Sequence, residues 1–255
     1  MENEKSQRKG ERKMKKFELT GKYKMYFGRK LFQIRALVNI GYVVEAGKTG
    51  GYIEKEENLS QSGNAWVSGK ARVYGNARVF DNALVFGNSI VSGNSRVYGN
   101  ALIFKNALVT DNAFVSGNVC VFGNARVNGN SRVTENARIS GKACVTGNSC
   151  VSGDAWVSGD SLVTGNSRVD GNSHVYGDTL VAGTSRVSGN SRVYGNALVY
   201  ENATVTGDST VFGDAQIYGN AYVSGNALLA GNSCVFGDSR ISGYSRLYGD
   251  VGVYR

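Results

Sequence analysis

The sequence predicts an all-β solenoid, and three features of the chain support this fold class. An aliphatic residue recurs at every sixth position from Val67 to Val253, giving 32 consecutive repeats without an insertion. A small residue, usually Ala or Ser, stands two positions before each aliphatic residue. Gly and then Asn or Asp usually stand two and three positions after it. A fixed short period of this kind indicates one structural unit that is stacked many times.

Each six-residue unit is typical of a short strand followed by a corner. Side chains alternate along a strand, so Ala71 and Val73 would face one side while Arg72 and Tyr74 face the other. The Gly-Asn pair that follows tolerates the positive φ of a tight corner. We therefore expect four-residue strands joined by two-residue corners, with each strand paired to its equivalent one coil later around a narrow apolar bore.

The repeat resembles that of the hexapeptide-repeat left-handed β-helix proteins, whose motif appears here in stretches such as "VFDNAL" and "VYGNAR". The resemblance covers residues 63–255. It implies a single-stranded left-handed parallel β-helix whose triangular 18-residue coils contain three units each, and hence between ten and eleven coils. A two-faced 12-residue coil is the alternative, because identical units do not fix how many of them close one turn.

The chain before the repeat divides into a tail and a small domain. Residues 1–16 contain seven Lys or Arg against three Glu and no apolar run, which is typical of a disordered basic tail. In residues 17–62, aromatic and β-branched residues flank Gly28-Arg29, which indicates a hairpin. We expect residues 17–62 to form a β cap that covers the first coil, because an uncovered coil exposes unpaired backbone groups.

The junction between cap and repeat adds a second resemblance. Its segments Gly50–Glu54 and Asn58–Gly63 resemble the start of YdcK-like proteins. These proteins pair a small β domain with a left-handed β-helix and carry a transferase label. The resemblance supports the same two-part organisation for this chain.

The charge and the cysteines of the chain indicate which partners and which cellular compartment to expect. The formal net charge is +9 and the isoelectric point is about 9.4, which permits an acidic partner. The chain has no long apolar run, so we expect neither a signal peptide nor a membrane span. With 18-residue coils, the two cysteines that share a face lie five coils apart, about 24 Å, too far for a disulfide. Free thiols favour the cytoplasm. The cysteines are Cys120, Cys144, Cys150 and Cys234.

The sequence offers little support for an enzyme. His174 is the single histidine, and with 18-residue coils its stacked neighbours would be Trp156 and Arg192. The hexapeptide-repeat resemblance implies acyl transfer, but those enzymes usually have a catalytic His, a loop that interrupts the coils and a trimeric cleft. The unbroken repeat predicts no such loop. We therefore expect a surface histidine, no catalytic residue, no metal site and no cofactor.

The outward position before each aliphatic residue carries the candidate contact surfaces. A basic stripe is predicted on one face, at Arg78, Arg96, Arg132, Arg168, Arg186 and Arg240. An apolar stripe is predicted on a second face, at Ile90, Leu108, Leu162, Leu180 and Leu198. On the third face, the position after the aliphatic residue is expected to stack aromatic side chains at Phe86, Phe104, Phe122, Tyr176, Tyr194 and Phe212.

These surfaces predict a non-enzymatic scaffold, structural or binding another macromolecule through its flat faces. The first alternative is an acyltransferase-like enzyme, which rests on resemblance alone. Weaker alternatives are polyanion or nucleic-acid binding by the tail and the basic stripe, and ice or polysaccharide binding by a Ser/Thr line that Asp170 interrupts. We also expect a homo-oligomer, most simply a dimer, because the last coil shows no cap and would expose Leu247 and Val253.

Overall fold

The computed structural model describes residues 14–255 and shows a parallel β-solenoid. Each strand of the repeat pairs in parallel with the strand one turn later, as Leu102 does with Cys120 and Ile103 with Val121. Each turn therefore contains about 18 residues. Strands three units apart along the chain are neighbours in a sheet. The predicted 18-residue coil is confirmed, and the 12-residue alternative is wrong.

The strands of the repeat form three sheets, one on each side of the coil, which we name by their outward residues. The arginine face contains the strands Arg78–Val79, Arg96–Val97, Phe114–Val115, Arg132–Val133, Cys150–Val151, Arg168–Val169, Arg186–Val187, Thr204–Val205, Tyr222–Val223 and Arg240–Ile241. The leucine face contains Arg72–Val73, Ile90–Val91, Leu108–Val109, Arg126–Val127, Cys144–Val145, Leu162–Val163, Leu180–Val181, Leu198–Val199, Gln216–Ile217, Cys234–Phe236 and Gly252–Tyr254. The histidine face contains Trp66–Val67, Leu84–Val85, Leu102–Ile103, Cys120–Val121, Arg138–Ile139, Trp156–Val157, His174–Val175, Arg192–Val193, Thr210–Val211, Leu228–Leu229 and Arg246–Leu247.

The strands are shorter than the four residues that the sequence predicts. Most contain only the outward residue and the aliphatic residue after it. Backbone hydrogen bonds nevertheless continue through the corners: the Ser68 N–H donates to the Val85 oxygen, and the Lys70 N–H donates to the Gly87 oxygen, both at 2.9 Å. The corners thus belong to the same ladder as the strands, which makes the coil a continuously hydrogen-bonded rod.

The bore is filled by the aliphatic residue and the small residue of each unit. Val151, Ala155 and Val157 are fully buried, as are nearly all their equivalents along the rod. Serine can replace alanine in the bore because its hydroxyl donates back to a backbone carbonyl, as Ser95 Oγ does to the Ser92 oxygen at 2.7 Å. This pairing avoids the cost of an unsatisfied buried hydroxyl.

The cap is a small antiparallel sheet that continues into the leucine face. Its strands are β1 (Phe17–Tyr26), β2 (Arg29–Ala36) and β3 (Thr49–Ile53), and one turn of 3-10 helix follows at Glu56–Asn58. β1 and β2 form a hairpin, and β2 pairs antiparallel with β3. β3 then pairs in parallel with the first strand of the leucine face, Tyr52 opposite Arg72, so the cap sheet leads directly into the rod.

The coil begins earlier than residue 63. Ile53 pairs with Val73, and Leu59 forms a bridge with Val79, so both occupy aliphatic positions of a first turn. Partners in this turn are further apart along the chain than in the repeat, because the step from Leu59 to Val67 contains two more residues than the six-residue period allows. That insertion hides the first turn from a search for the period.

Residues 1–13 of the predicted tail lie outside the described residues, while Lys15 and Lys16, which we assigned to the tail, contact the cap. Lys15 Nζ lies 2.8 Å from Glu56 Oε1. The buried Lys16 ammonium donates to the backbone oxygens of Ala65 at 2.8 Å and Gly63 at 3.3 Å. Lys16 therefore ties the chain before β1 to the insertion in the first turn.

The stability of this junction is expected to depend on pH through Lys16. Burial lowers the pKa of Lys16 to about 8, from 10.5. Between these values the unfolded chain binds the proton more tightly, so stability should rise with pH, by up to roughly 1.4 kcal/mol per pH unit. Lys16→Gln should flatten this rise. Denaturant titrations of both proteins between pH 7.5 and 10.5, the range set by the two pKa values, test the effect, and equal slopes would contradict it.

Candidate functional site

The arginine face brings the predicted basic stripe together as one exposed line. Arg78 lies directly opposite Arg96, and Arg168 lies opposite Arg186, while Arg132 stands between these pairs. All six arginines of the stripe are exposed. Like charges placed directly opposite each other on a sheet are destabilising, so the stacked pairs do not serve the stability of the rod.

Neutralising partners are scarce along this line. Arg186 Nη2 lies 2.9 Å from Asp170 Oδ2. Within residues 14–255, the other five arginines of the stripe form no ion pair. Arg132 packs its guanidinium 5.8 Å from the centroid of the Phe114 ring, which orients it without neutralising it.

Two recesses flank the capped end of the arginine face. Arg78 and Arg96 line both of them. The larger, about 670 Å³, also contains Phe80 and Gln61, and the smaller, about 400 Å³, contains Lys55. Sequence reasoning missed these recesses, because their second wall is the 3-10 helix of the cap, which lies outside the six-residue period.

His174 lies where the sequence predicts, between Trp156 and Arg192 on the histidine face. The imidazole meets the Trp156 ring edge to face, with centroids 5.8 Å apart. These side chains, with Ser158 and Tyr176, line a cleft of about 390 Å³. In the described chain the imidazole has no hydrogen bond to a hydroxyl or carboxylate that would orient it as a general base.

The apolar stripe is divided in two on the leucine face. Ile90 pairs with Leu108, and Leu162, Leu180 and Leu198 stack on consecutive turns, with two other turns between the groups. These side chains are half-buried.

The two residues of the predicted end contact lie on different faces. Leu247 ends a strand of the histidine face, and Val253 lies in the last strand of the leucine face. Both side chains are half-buried and pack against the core. Self-association through them stays a prediction.

The four cysteines are free and half-buried, in the predicted outward positions. Burial raises the pKa of the Cys144 thiol and of the Cys150 thiol. A raised pKa keeps a thiol protonated at neutral pH, and the thiol is the less nucleophilic form. The environment of these two thiols therefore suits packing rather than catalysis.

Aromatic ladders run along all three faces. The two that the sequence predicts on the histidine face are confirmed, with ring centroids 4.8–5.0 Å apart and planes within 7° of parallel. Sequence reasoning missed a ladder on the leucine face and a stacked pair on the arginine face. They would have been found by examining the position after the aliphatic residue on the other two faces as well. They are Tyr200–Tyr218–Phe236–Tyr254 and Phe80–Tyr98.

Asparagine side chains form hydrogen-bonded ladders along the corners, and in each ladder a side chain donates to the one on the next turn. Asn100 Nδ2 donates to Asn118 Oδ1 at 3.0 Å, Asn118 donates to Asn136, and Asn136 donates to Asp154 Oδ1 at 2.9 Å. An ionised carboxylate accepts but cannot donate, so this run ends at Asp154. The sequence analysis attributed the corner asparagines to the backbone conformation of a tight corner. In the structure their side chains also join one turn to the next.

Corner acids are mostly isolated, with one exception that the sequence analysis missed. Asp160 and Asp178 occupy the same corner on consecutive turns, and Lys142 Nζ lies 3.1 Å from Asp160 Oδ2. Among residues 14–255, no group of three or more His, Cys, Asp or Glu side chains is placed to hold a metal ion.

These features define the class of the protein as a parallel β-solenoid of about 11 turns with a small antiparallel β region before it. Four segments match the YdcK Beta solenoid repeat, at residues 71–81, 77–93, 191–207 and 215–231. The chain is thus a YdcK-like β-solenoid protein. No curated protein matches it. In the described part, no helix is long and apolar enough to cross a membrane.

Proposed function

We propose that this protein is a rigid scaffold that binds an acidic macromolecule along its arginine face. The observation that carries the proposal is the line of exposed arginines, five of which have no ion-pair partner in residues 14–255. Guanidinium groups bind carboxylate, sulfate and phosphate groups through paired hydrogen bonds, so an exposed line of them favours an anionic partner.

The spacing of the arginines favours a polymer over a small anion. Arg78 and Arg240 stand in the first and the last strand of the 10-stranded sheet that forms this face, nine turns apart. At about 4.8 Å per turn the line extends over roughly 43 Å. A single small anion would contact one arginine pair, whereas an extended polyanion can contact both pairs and the arginines between and beyond them.

The rod also holds these side chains at fixed intervals before any partner binds. Each arginine follows a buried small residue and precedes a buried aliphatic residue, as Arg96 does between Ser95 and Val97. The N–H groups of Arg96 and Tyr98 donate to the next turn, to the Ala113 and Val115 oxygens. Because the backbone is already fixed, only the arginine side chains need to be ordered on binding, which supports affinity at a modest contact area.

A binding assay with matched charge removal tests the proposal. The double variant Arg78→Gln/Arg96→Gln removes one stacked pair, and Arg126→Gln/Arg138→Gln removes the same charge from the other two faces. Fluorescence anisotropy with a labelled single strand of about 20 nucleotides, and competition by heparin, would follow binding against salt. We expect the first variant to lose roughly tenfold in affinity and its salt slope to fall by about 1.4.

The control variant should change both quantities much less. Equal losses in the two double variants would show that only net charge matters. That result, or an absence of binding at low salt, would contradict the role of the arginine face.

A further inference from the structure

The aromatic ladder of the histidine face is interrupted at two consecutive turns. The position after the aliphatic residue carries Phe on three turns, then Ser140 and Ser158, and then the ladder Tyr176–Tyr194–Phe212. Within the ladders the ring centroids lie 4.8–5.0 Å apart. Two successive rings are therefore absent from an otherwise regular stack.

Trp156 occupies the space above the first of these serines. Its indole Nε1 donates to Ser140 Oγ at 3.0 Å, and Ser140 is only 5% exposed. The space above Ser158 is open and is part of the 390 Å³ cleft. One of the two missing rings is thus replaced by the indole, and the other position is vacant.

The Tyr176 ring has one covered face and one face toward the vacant position. Tyr194 stacks on the covered side, with centroids 4.8 Å apart and planes 4° from parallel. Tyr176 is 37% exposed and Trp156 is 40% exposed. The two exposed rings line one cleft, and the free face of Tyr176 provides a surface on which a flat ring can stack.

Arg192 supplies the charge of this cleft. It lies one turn after His174 on the same face, in the row of outward residues beside the row of Tyr176. It forms no ion pair within the described residues. A guanidinium at the edge of a stacking surface selects a ligand that also carries an anionic group.

We propose that this cleft binds a planar aromatic ring that bears an anionic group. The ring stacks on Tyr176 in the vacant position above Ser158, and the anionic group contacts Arg192, with His174 and Trp156 at the sides. The site lies on a different face from the arginine stripe, so it can exist whether or not that stripe binds a polymer.

Adenosine monophosphate and phenyl phosphate are suitable probes, because each joins a planar ring to a phosphate. Of the two tryptophans, Trp66 is 3% exposed, so a quenched emission would report on Trp156. From the strength of base stacking we expect dissociation constants on the order of 1 mM. Saturation-transfer NMR of the ring protons gives a second readout.

Filling the vacant position tests the stacking directly. Ser158→Tyr should complete the ladder and weaken binding of either probe by roughly tenfold or more. Ala182→Tyr is the matched control, since it adds a ring one turn before Tyr200 at the equivalent position of the leucine face. The control should bind both probes as the wild type does.

Arg192→Gln tests the anionic contact. In this variant adenosine monophosphate should bind no better than adenosine, whereas the wild type should prefer the phosphorylated form. Any of the following results would overturn the proposal: no binding of either probe at about 10 mM, undiminished binding by Ser158→Tyr, or equal binding of inorganic phosphate. Preference for an uncharged sugar such as maltose over both probes would also overturn it.

Discussion

Val151→Asp is expected to unfold the central turns of the rod. Val151 is fully buried, and its partners on the turns before and after it are Val133 and Val169. The nearby Ser149 hydroxyl already donates to the Thr146 oxygen at 2.7 Å. A carboxylate there would be buried among aliphatic side chains without a cation, at a cost of about 4 kcal/mol or more.

Cys150→Asp is the matched control for this prediction. It places the same charge one residue earlier, in the outward position between Arg132 and Arg168. We expect it to change the free energy of unfolding by less than about 1 kcal/mol. Denaturant titrations followed by circular dichroism would compare the two variants. If both unfold at the same denaturant concentration, the aliphatic position does not face the bore.

The regular part of this fold could be predicted from sequence because every unit has the same environment. The bore admits only an aliphatic and a small residue, so Val67 and its 31 equivalents are all aliphatic. Once the 18-residue turn is assumed, the outward neighbours follow by arithmetic, which is why Trp156 and Arg192 were correctly placed beside His174.

The irregular parts could not be predicted in the same way. Ile53 and Leu59 belong to the first turn, but the insertion after Leu59 removes them from the six-residue register. The recesses beside Arg78 depend on the 3-10 helix of the cap, whose position no period specifies. The structural consequence of these departures from the repeat is visible only in the folded chain.

The cleft on the histidine face also could not be predicted from the sequence, because it depends on the orientation of one side chain. The sequence places Ser140, Ser158 and Tyr176 in one row. It does not determine whether Trp156 turns toward Ser140 or toward Ser158, because both are its neighbours. The hydrogen bond from the indole to Ser140 decides this choice, and it leaves the space above Ser158 open.

The second large effect is expected at the corners, for Gly93→Val. Gly93 has φ of +71°, a region that β-branched residues almost never adopt. An added Cβ would also lie 2.6 Å from the Asp111 oxygen and 2.9 Å from the Asp111 Cα on the next turn. Strained backbone costs about 1–2 kcal/mol per residue, and the clash must add to it by separating the two turns. We expect a loss of about 3 kcal/mol or more.

Asp111 itself provides the control, because it is a residue with a side chain in the same kind of corner. The five non-glycine residues at this position have φ between 58° and 62°, and each is stacked between glycines on the turns before and after it: Asp81, Lys105, Asp111, Glu135 and Glu201. A side chain is thus tolerated in a corner when both neighbouring corners are glycine. Gly93→Val would place two side chains in succession.

Asp111→Gly should change stability little. The substitution removes the backbone strain of a positive φ at a residue with a side chain. It also removes the carboxylate that accepts the Gly129 N–H at 3.0 Å. The two effects oppose each other and are of similar size, about 1 kcal/mol each. Denaturant midpoints of the two variants would be compared with that of the wild type. Gly93→Val in the Asp111→Gly background should remain as destabilised as Gly93→Val alone, because the Asp111 atoms nearest the added Cβ are backbone atoms that glycine keeps. A double variant that recovered most of the loss would show that the clash is with the Asp111 side chain and not with the backbone of the next turn.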